Sequence, residues 1–170
     1  WLPHEPGPRE TLAVIRKQSG DRQAEKQAWL ALVDVDSDHQ GACRRLMDLA
    51  IDAQDWAGAV WAGERLCEIN PLRTSLQRDL GLASSQCNDY PTAARAYRAL
   101  LALGAVDPAG THFALAAALE HSGEAMDAKR QVLMALEQAP RYREAQELLL
   151  RLVADEHSIR LPPLETIETQ

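Results

Sequence analysis

The sequence predicts an all-α protein, a right-handed superhelical α-solenoid of about four helical hairpins followed by a capping helix. Three observations predict it. Turn residues recur at a nearly constant interval, the segments between them have the apolar spacing of amphipathic helices, and the apolar residues are mainly Ala and Leu. The 170-residue chain is long enough for about four such hairpins.

The repeat is visible in the turns between the predicted helices. Turn residues followed by an acidic residue recur at intervals of 34, 34 and 35 residues: Gly20, Gln54, Asn88 and Gly123. A second series of turns keeps nearly the same interval, at 36–37, 70–71, 104–105 and 139–140. Between the turns, apolar residues recur at i, i+3, i+4 and i+7, as in Leu46, Leu49, Ala50 and Ala53. Strand-like alternation is absent from the sequence.

Helix starts are marked by capping residues. Ser37 with Gln40, and Thr74 with Gln77, have the spacing of a capping box. We expect Asp55 and Asp89 to accept hydrogen bonds from the free amides that begin two second helices.

This pattern resembles the tetratricopeptide repeat family, whose unit of about 34 residues has Leu and a small residue midway along its first helix. The matching pairs are Leu12-Ala13, Leu46-Met47, Leu80-Gly81 and Leu115-Ala116. The resemblance places units at 6–39, 40–73, 74–107 and 109–142, with a capping helix at 142–157. We interpret 1–8 as a linker, 9–157 as the repeat domain and 158–170, with its Leu-Pro-Pro-Leu run, as an extended tail.

Two residues depart from the family pattern. Glu25 stands where the second helix has a small residue, which indicates a degenerate first unit. Gly63 stands where a bulky residue belongs, and we expect Trp56 to fill the space.

Composition excludes several function classes. A net charge of −7 opposes general nucleic-acid binding, and no apolar run approaches the roughly 18 residues that a membrane span needs. Three widely spaced cysteines without a CxxC favour a reducing compartment such as the cytoplasm, and the preference for Arg over Lys favours a GC-rich bacterial genome. His39 and Cys43 are four residues apart, but two ligands do not make a metal site. We therefore expect no metal, no cofactor and no catalysis within this chain.

The resemblance implies a protein-protein interaction scaffold that holds a partner peptide or protein in a concave groove lined by first helices. Carried onto this sequence, the groove and its margin contain Lys17, Arg44, Arg45, Asp48, Ile51, Arg78, Leu82, Phe113, Ala117, Glu120 and His121. Family members that hold a chaperone carboxylate use Lys and Asn in the groove. Here Glu10 and Val14 occupy the first two of those places, so we do not expect that role.

Two interpretations of the arginines stay open. Arg44 and Arg78 occupy equivalent positions in consecutive units, so together they would grip a carboxylate or an acidic peptide. In the alternative, they pair with Asp48, Asp79 or Asp52 as a solvated charged face. Phe113, the only Phe, falls at a groove position and is the clearest apolar anchor.

Two other functions remain open from the sequence. In the first, the chain is the non-catalytic C-terminal region of a larger enzyme such as a peptidase, where it positions a substrate or a partner protein. Alternatively, it is a self-assembly element that forms homo-oligomers through the tail or through Trp61, an aromatic on the outward side of a second helix.

Overall fold

The computed structural model describes residues 7–160, and of 155–160 only the helical backbone. Nine α-helices and no strand occupy this part of the chain. The helices are α1 Pro8–Ser19, α2 Arg22–Val33, α3 Gln40–Asp52, α4 Trp56–Ile69, α5 Thr74–Gln86, α6 Tyr90–Ala102, α7 Pro108–His121, α8 Ala125–Gln138 and α9 Arg143–Arg160. The all-α prediction is confirmed.

The helices form two compact units, divided between Gly104 and Ala105. In unit 1, the pairs α1–α2, α3–α4 and α5–α6 are hairpins, and α2 packs on α3 as α4 packs on α5. In unit 2, α8 packs against both α7 and α9. The sequence predicted one repeat domain over 9–157, without this division.

The bounds at both ends also differ from the prediction. Helix α1 begins at Pro8, the last residue of the predicted linker, because proline is well suited to a first helical turn. Helix α9 continues to Arg160, three residues into the predicted tail. Residues 1–6 and 161–170 lie outside the described part of the chain, so the rest of the linker and tail predictions is untested.

The periodic turn residues share one backbone conformation. Gly20, Gln54, Asn88 and Gly123 all have positive φ, at 76°, 55°, 62° and 79°. This left-handed conformation ends the first helix of each hairpin and is favourable for Gly, tolerable for Asn and strained for Gln. The interval read from the sequence therefore marks a repeated backbone geometry.

Two of the four capping predictions are confirmed. Asp55 accepts a hydrogen bond from the Gly58 amide at 3.0 Å, and Asp89 accepts one from the Thr92 amide at 3.3 Å. Both capping boxes are wrong, because their helices begin elsewhere. His39 caps α3 by accepting from the Ala42 amide through Nδ1 at 3.0 Å, which leaves Ser37 in the preceding turn.

In the second failed capping box, Thr74 is already the first helical residue. The residue before it, Arg73, makes no side-chain cap. Gln77, predicted to reach back to the helix start, donates instead from Nε2 to the carbonyl of Pro71 at 2.9 Å.

The core of unit 1 corrects one packing prediction. The space beside Gly63 is filled by Leu80 and Met47, since a Cβ at residue 63 would lie 3.0 Å from Leu80 Cδ1 and 3.2 Å from Met47 Cε. Trp56, which was expected to fill this space, is not one of the nearest neighbours and is half-buried against the same core. Leu12 is 47% exposed, whereas its equivalents Leu46 and Leu80 are buried.

Candidate functional site

The predicted groove residues fall on two separate units. Unit 1 carries seven of them on its first helices: Lys17 on α1, Arg44, Arg45, Asp48 and Ile51 on α3, and Arg78 and Leu82 on α5. Unit 2 carries the other four on α7: Phe113, Ala117, Glu120 and His121. We describe each set by itself.

The first helices of unit 1 are joined side by side through polar contacts. His39 at the start of α3 lies 3.8 Å from Glu10 of α1, measured from Nε2 to Oε2. Arg44 of α3 donates from Nη2 to Asp79 of α5 at 3.1 Å. These contacts place three consecutive first helices along one side of the unit, and we call this side the first-helix face, comprising Lys17, Arg44, Asp48, Ile51, Arg78 and Leu82.

A chain of alternating charges crosses the first-helix face. Arg44 contacts Asp48 through Nε at 3.0 Å and Asp79 through Nη2 at 3.1 Å. Arg78 reaches the same Asp79, with Nε 3.7 Å from Oδ1. The two arginines are therefore neighbours, but Asp79 lies between them. Arg44 is held on both sides, whereas Arg78 makes only this one loose contact among the ion pairs of the described residues.

The same three first helices also carry apolar side chains with exposed surface. Leu82, one helical turn after Arg78 on α5, is 48% exposed. Ile51 on α3 is half-buried, and Val14 on α1 is exposed. Lys17, one turn after Val14, is also exposed. The face thus offers both a cation and an uncovered aliphatic group on α5.

Solved structures reveal what kind of fold positions these residues. MamA is similar to this chain with a TM-score of 0.67 and 14% identity, over 88% of this chain and 81% of that one. YrrB, described as a TPR protein with an unusual peptide-binding site, gives a TM-score of 0.69 at 14% identity, over 92% and 80%. The fold is that of the tetratricopeptide repeat.

A third similar structure is a tetratricopeptide domain with a ligand. The first such domain of Spaghetti (RPAP3), bound to the HSP90 peptide SRMEEVD, has a TM-score of 0.59 and 14% identity, over 69% of this chain and 93% of that one. No protein-family model matches the sequence, and no curated protein does either. The resemblance noted from the repeat pattern is therefore confirmed at the level of fold.

Glu25 departs from the tetratricopeptide pattern because it has a partner that the sequence analysis missed. The residue is 2% exposed, and its carboxylate accepts two hydrogen bonds from Arg45, from Nε at 2.7 Å and from Nη2 at 3.1 Å. Trp29 Nε1 adds a third at 3.2 Å. Arg45 was predicted at the groove margin, but its guanidinium is committed to the interior. The sequence did indicate such a partner, because an acidic residue at a position that is normally small and buried requires a cation nearby.

The four residues on α7 that were predicted to line the groove take part in contacts within unit 2. The Phe113 ring packs against Tyr142, with centroids 5.0 Å apart. Glu120 accepts from Arg151 of α9 at 3.0 Å. His121 Nδ1 lies 2.8 Å from the Ala117 carbonyl, close enough to donate to it. Phe113 is therefore half-covered by its own chain rather than presented as an open anchor.

Trp61 lies on the outer side of α4 and is 40% exposed. Its ring has the Arg65 guanidinium 4.8 Å from its centroid, a cation-π contact. The ring also forms one wall of an open cavity of about 140 Å³, whose other walls are Lys26, Leu30, Leu46, Ala50 and Gly58.

His39 and Cys43, the pair with the spacing of two metal ligands, have separate structural roles. His39 caps α3 with Nδ1, and Cys43 is buried, where desolvation raises the pKa of its thiol. In the described residues, no group of three His, Cys, Asp or Glu side chains is arranged to hold a metal ion. Among the described helices, none combines the length and apolar character needed to span a bilayer.

Proposed function

We propose that this chain is a protein-interaction module that holds a peptide segment of another protein on the first-helix face of unit 1. One observation carries the proposal. Arg78 and Leu82 stand one turn apart on α5, and the Arg78 side chain is 65% exposed while Leu82 is 48% exposed. A segment with a carboxylate next to an aliphatic side chain matches this pair.

Arg78 is better placed than Arg44 to bind a ligand. Its 3.7 Å contact with Asp79 exceeds hydrogen-bond length, so an incoming carboxylate displaces no strong interaction. Arg44 would have to give up contacts of 3.0 and 3.1 Å with Asp48 and Asp79. We therefore assign Arg44 to shaping the face and Arg78 to ligand contact.

Charge alone does not supply the affinity. An exposed ion pair contributes about 0 to 1 kcal/mol, because solvent and salt screen it. Covering a half-exposed leucine adds roughly 1 kcal/mol at about 25 cal/mol per Å². Leu82 is therefore expected to contribute at least as much as Arg78, with Ile51 and Val14 extending the apolar contact.

The similar structures support a peptide as the ligand. YrrB is described with a peptide-binding site, and the Spaghetti domain with SRMEEVD, a peptide that combines three acidic residues with Met and Val. Acidic and apolar residues together are the chemistry that Arg78 and Leu82 would recognise. The similarity is to the fold, so we propose the class of ligand and not the same peptide.

The test uses peptides selected from a random library on the full chain and measured by fluorescence anisotropy. In the test variant, Arg78→Gln with Leu82→Ser, we expect affinity to fall about tenfold. We use Gln because a Glu at 78 would repel Asp79 and disturb the fold.

The matched control is Arg130→Gln with Leu133→Ser on α8. Arg130 has a 72% exposed side chain and a 3.2 Å contact with Asp127, and Leu133 is 45% exposed. The control should bind as tightly as the unaltered chain. Equal binding by both variants, or selection of no peptide, would contradict the proposal.

A further inference from the structure

The cavity beneath Trp61 has the size and lining of a socket for one side chain. Its volume of about 140 Å³ lies between α2, α3 and α4, and five of its six lining residues are apolar or glycine. A cavity of about 150 Å³ with apolar walls is known to admit a benzene ring. The polar lining residue, Lys26, donates a hydrogen bond from its ammonium group to Asp55 at 2.9 Å. A leucine or isoleucine side chain therefore fits.

A cationic side chain, that of Arg65, lies beside this socket. Arg65 lies one helical turn after Trp61 on α4 with its guanidinium over the indole ring. Within residues 7–154, no carboxylate forms an ion pair with Arg65. Trp and Arg are both enriched among the residues that contribute most of the binding energy at protein interfaces. The socket thus fits an aliphatic residue followed closely by an acid.

The chain's own C-terminal segment has this chemistry twice. After Arg160, residues 161–170 read LPPLETIETQ, in which Leu164 precedes Glu165 and Ile167 precedes Glu168. Pro162 and Pro163 restrict the backbone at the start of the segment, which lowers the entropy lost when it docks. The two elements that the sequence marked for self-assembly, Trp61 and the tail, are therefore chemically complementary.

We propose that residues 161–170 of one copy dock on the Trp61 socket of a second copy, with Leu164 or Ile167 in the cavity and the following glutamate on Arg65. Each copy supplies one segment and one socket, so reciprocal exchange closes a dimer with two identical contacts. The second contact forms within an existing complex and is strengthened by the high effective concentration. The socket and the first-helix face consist of different residues, although α3 contributes to both.

Sedimentation equilibrium of the full chain over a range of concentrations tests the dimer. We expect a monomer–dimer equilibrium whose Kd rises at least tenfold in Leu164→Ser with Ile167→Ser. Far-UV circular dichroism of the variant checks that its helix content is unchanged. A molar mass of the unaltered chain that stays at the monomer value at every concentration, or a dimer that persists in this variant, would overturn the proposal.

A second measurement locates the socket. A fluorescein-labelled peptide of residues 161–170 is titrated with the full chain carrying Leu164→Ser and Ile167→Ser, so that its own segment does not compete. Adding Trp61→Ala should weaken binding at least tenfold and Arg65→Gln about threefold, while Arg78→Gln with Leu82→Ser should leave it unchanged. If binding is weakened by Arg78→Gln with Leu82→Ser instead, the segment binds the first-helix face and the socket proposal is wrong. If the 161–170 peptide does not bind but library peptides still bind the first-helix face, the socket proposal is wrong and the proposed function stands.

Discussion

Arg45 holds both carboxylate oxygens of Glu25, with nitrogen–oxygen distances of 2.7 and 3.1 Å. This bidentate pair joins α2 of the first hairpin to α3 of the second. Only 3% of the Glu25 side chain and 28% of the Arg45 side chain are exposed. The pair therefore fixes the arrangement of two hairpins at the position where the repeat pattern calls for a small residue.

Removing one partner of this pair should be costly. We expect Arg45→Ala to lower the free energy of unfolding by about 2 to 4 kcal/mol, because it leaves a buried carboxylate without its cation. The double variant Glu25→Ala with Arg45→Met should lose less, since it buries no unpaired charge. Urea denaturation measures both. If the double variant is less stable than Arg45→Ala alone, the cost lies in packing and not in the unpaired charge.

The same pair predicts a pH dependence. The Arg45 hydrogen bonds lower the pKa of Glu25 below 4.5, with the Trp29 bond and the charges of Arg45 and Lys17 adding to the effect and burial opposing it. Because the folded-state pKa is the lower one, the stabilisation is present above about pH 4.5 and is lost as pH falls through the folded pKa. The stability difference between the unaltered chain and Glu25→Gln should shrink between pH 7 and about pH 3.5. A difference that stays constant would show that the Glu25 charge contributes nothing.

The third hairpin depends on Gly81. A Cβ at this position would lie 2.6 Å from Cε1 of the Tyr97 ring, which is buried. We expect Gly81→Ala to destabilise by about 1 to 3 kcal/mol despite the better helix propensity of Ala. Gly63→Ala is the comparison, because its new methyl group would meet the flexible ends of Leu80 and Met47. Thermal unfolding that ranks Gly63→Ala as the more damaging change would contradict this packing.

Gln54 is the strained member of the turn series. It adopts φ 55° without the freedom of Gly or the local hydrogen bonding of Asn. We expect Gln54→Gly to raise the free energy of unfolding by about 0.5 to 1 kcal/mol. Asn88→Gly should gain less, because Asn tolerates this conformation and Asn88 also accepts a 2.7 Å hydrogen bond from Tyr90. An equal gain at both positions in urea denaturation would argue against strain at Gln54.

Ser84 carries a buried hydroxyl for which the structure provides no hydrogen-bond partner. The equivalent positions in the neighbouring repeats, Ala50 and Leu119, are buried and apolar. We expect Ser84→Ala to stabilise by about 1 to 2 kcal/mol, through lost desolvation cost and better helix propensity. Ser85→Ala is the control, because that hydroxyl donates to the Gly81 carbonyl at 2.9 Å. Calorimetry showing an equal gain for both serines would point to helix propensity alone.

The sequence predicted the helices and turns well because those features are local. The left-handed residues Gly20, Gln54, Asn88 and Gly123 recur with the repeat, and Asp55 and Asp89 cap helices that start directly after them. Both failed capping boxes required an exact helix start, which local pattern does not define to one residue.

Side-chain partners were not predictable in the same way, because they join residues far apart in the chain. Glu25 meets Arg45 across 20 positions, and the repeat pattern does not imply this pair. Arg44 meets Asp79 across 35 positions, a pairing that the sequence offered only as one of two alternatives for the arginines. The same holds for the space at Gly63, whose occupants come from two other helices.

Amide chemical-shift mapping tests the peptide-binding face most directly. A selected acidic and apolar peptide is titrated into the isotope-labelled 170-residue chain. We predict that the perturbed amides cluster on α1, α3 and α5, with the largest shifts near Arg78 and Leu82 and little change along α8. Perturbations centred on α8, or spread without a cluster on the first helices of unit 1, would contradict the proposed binding face.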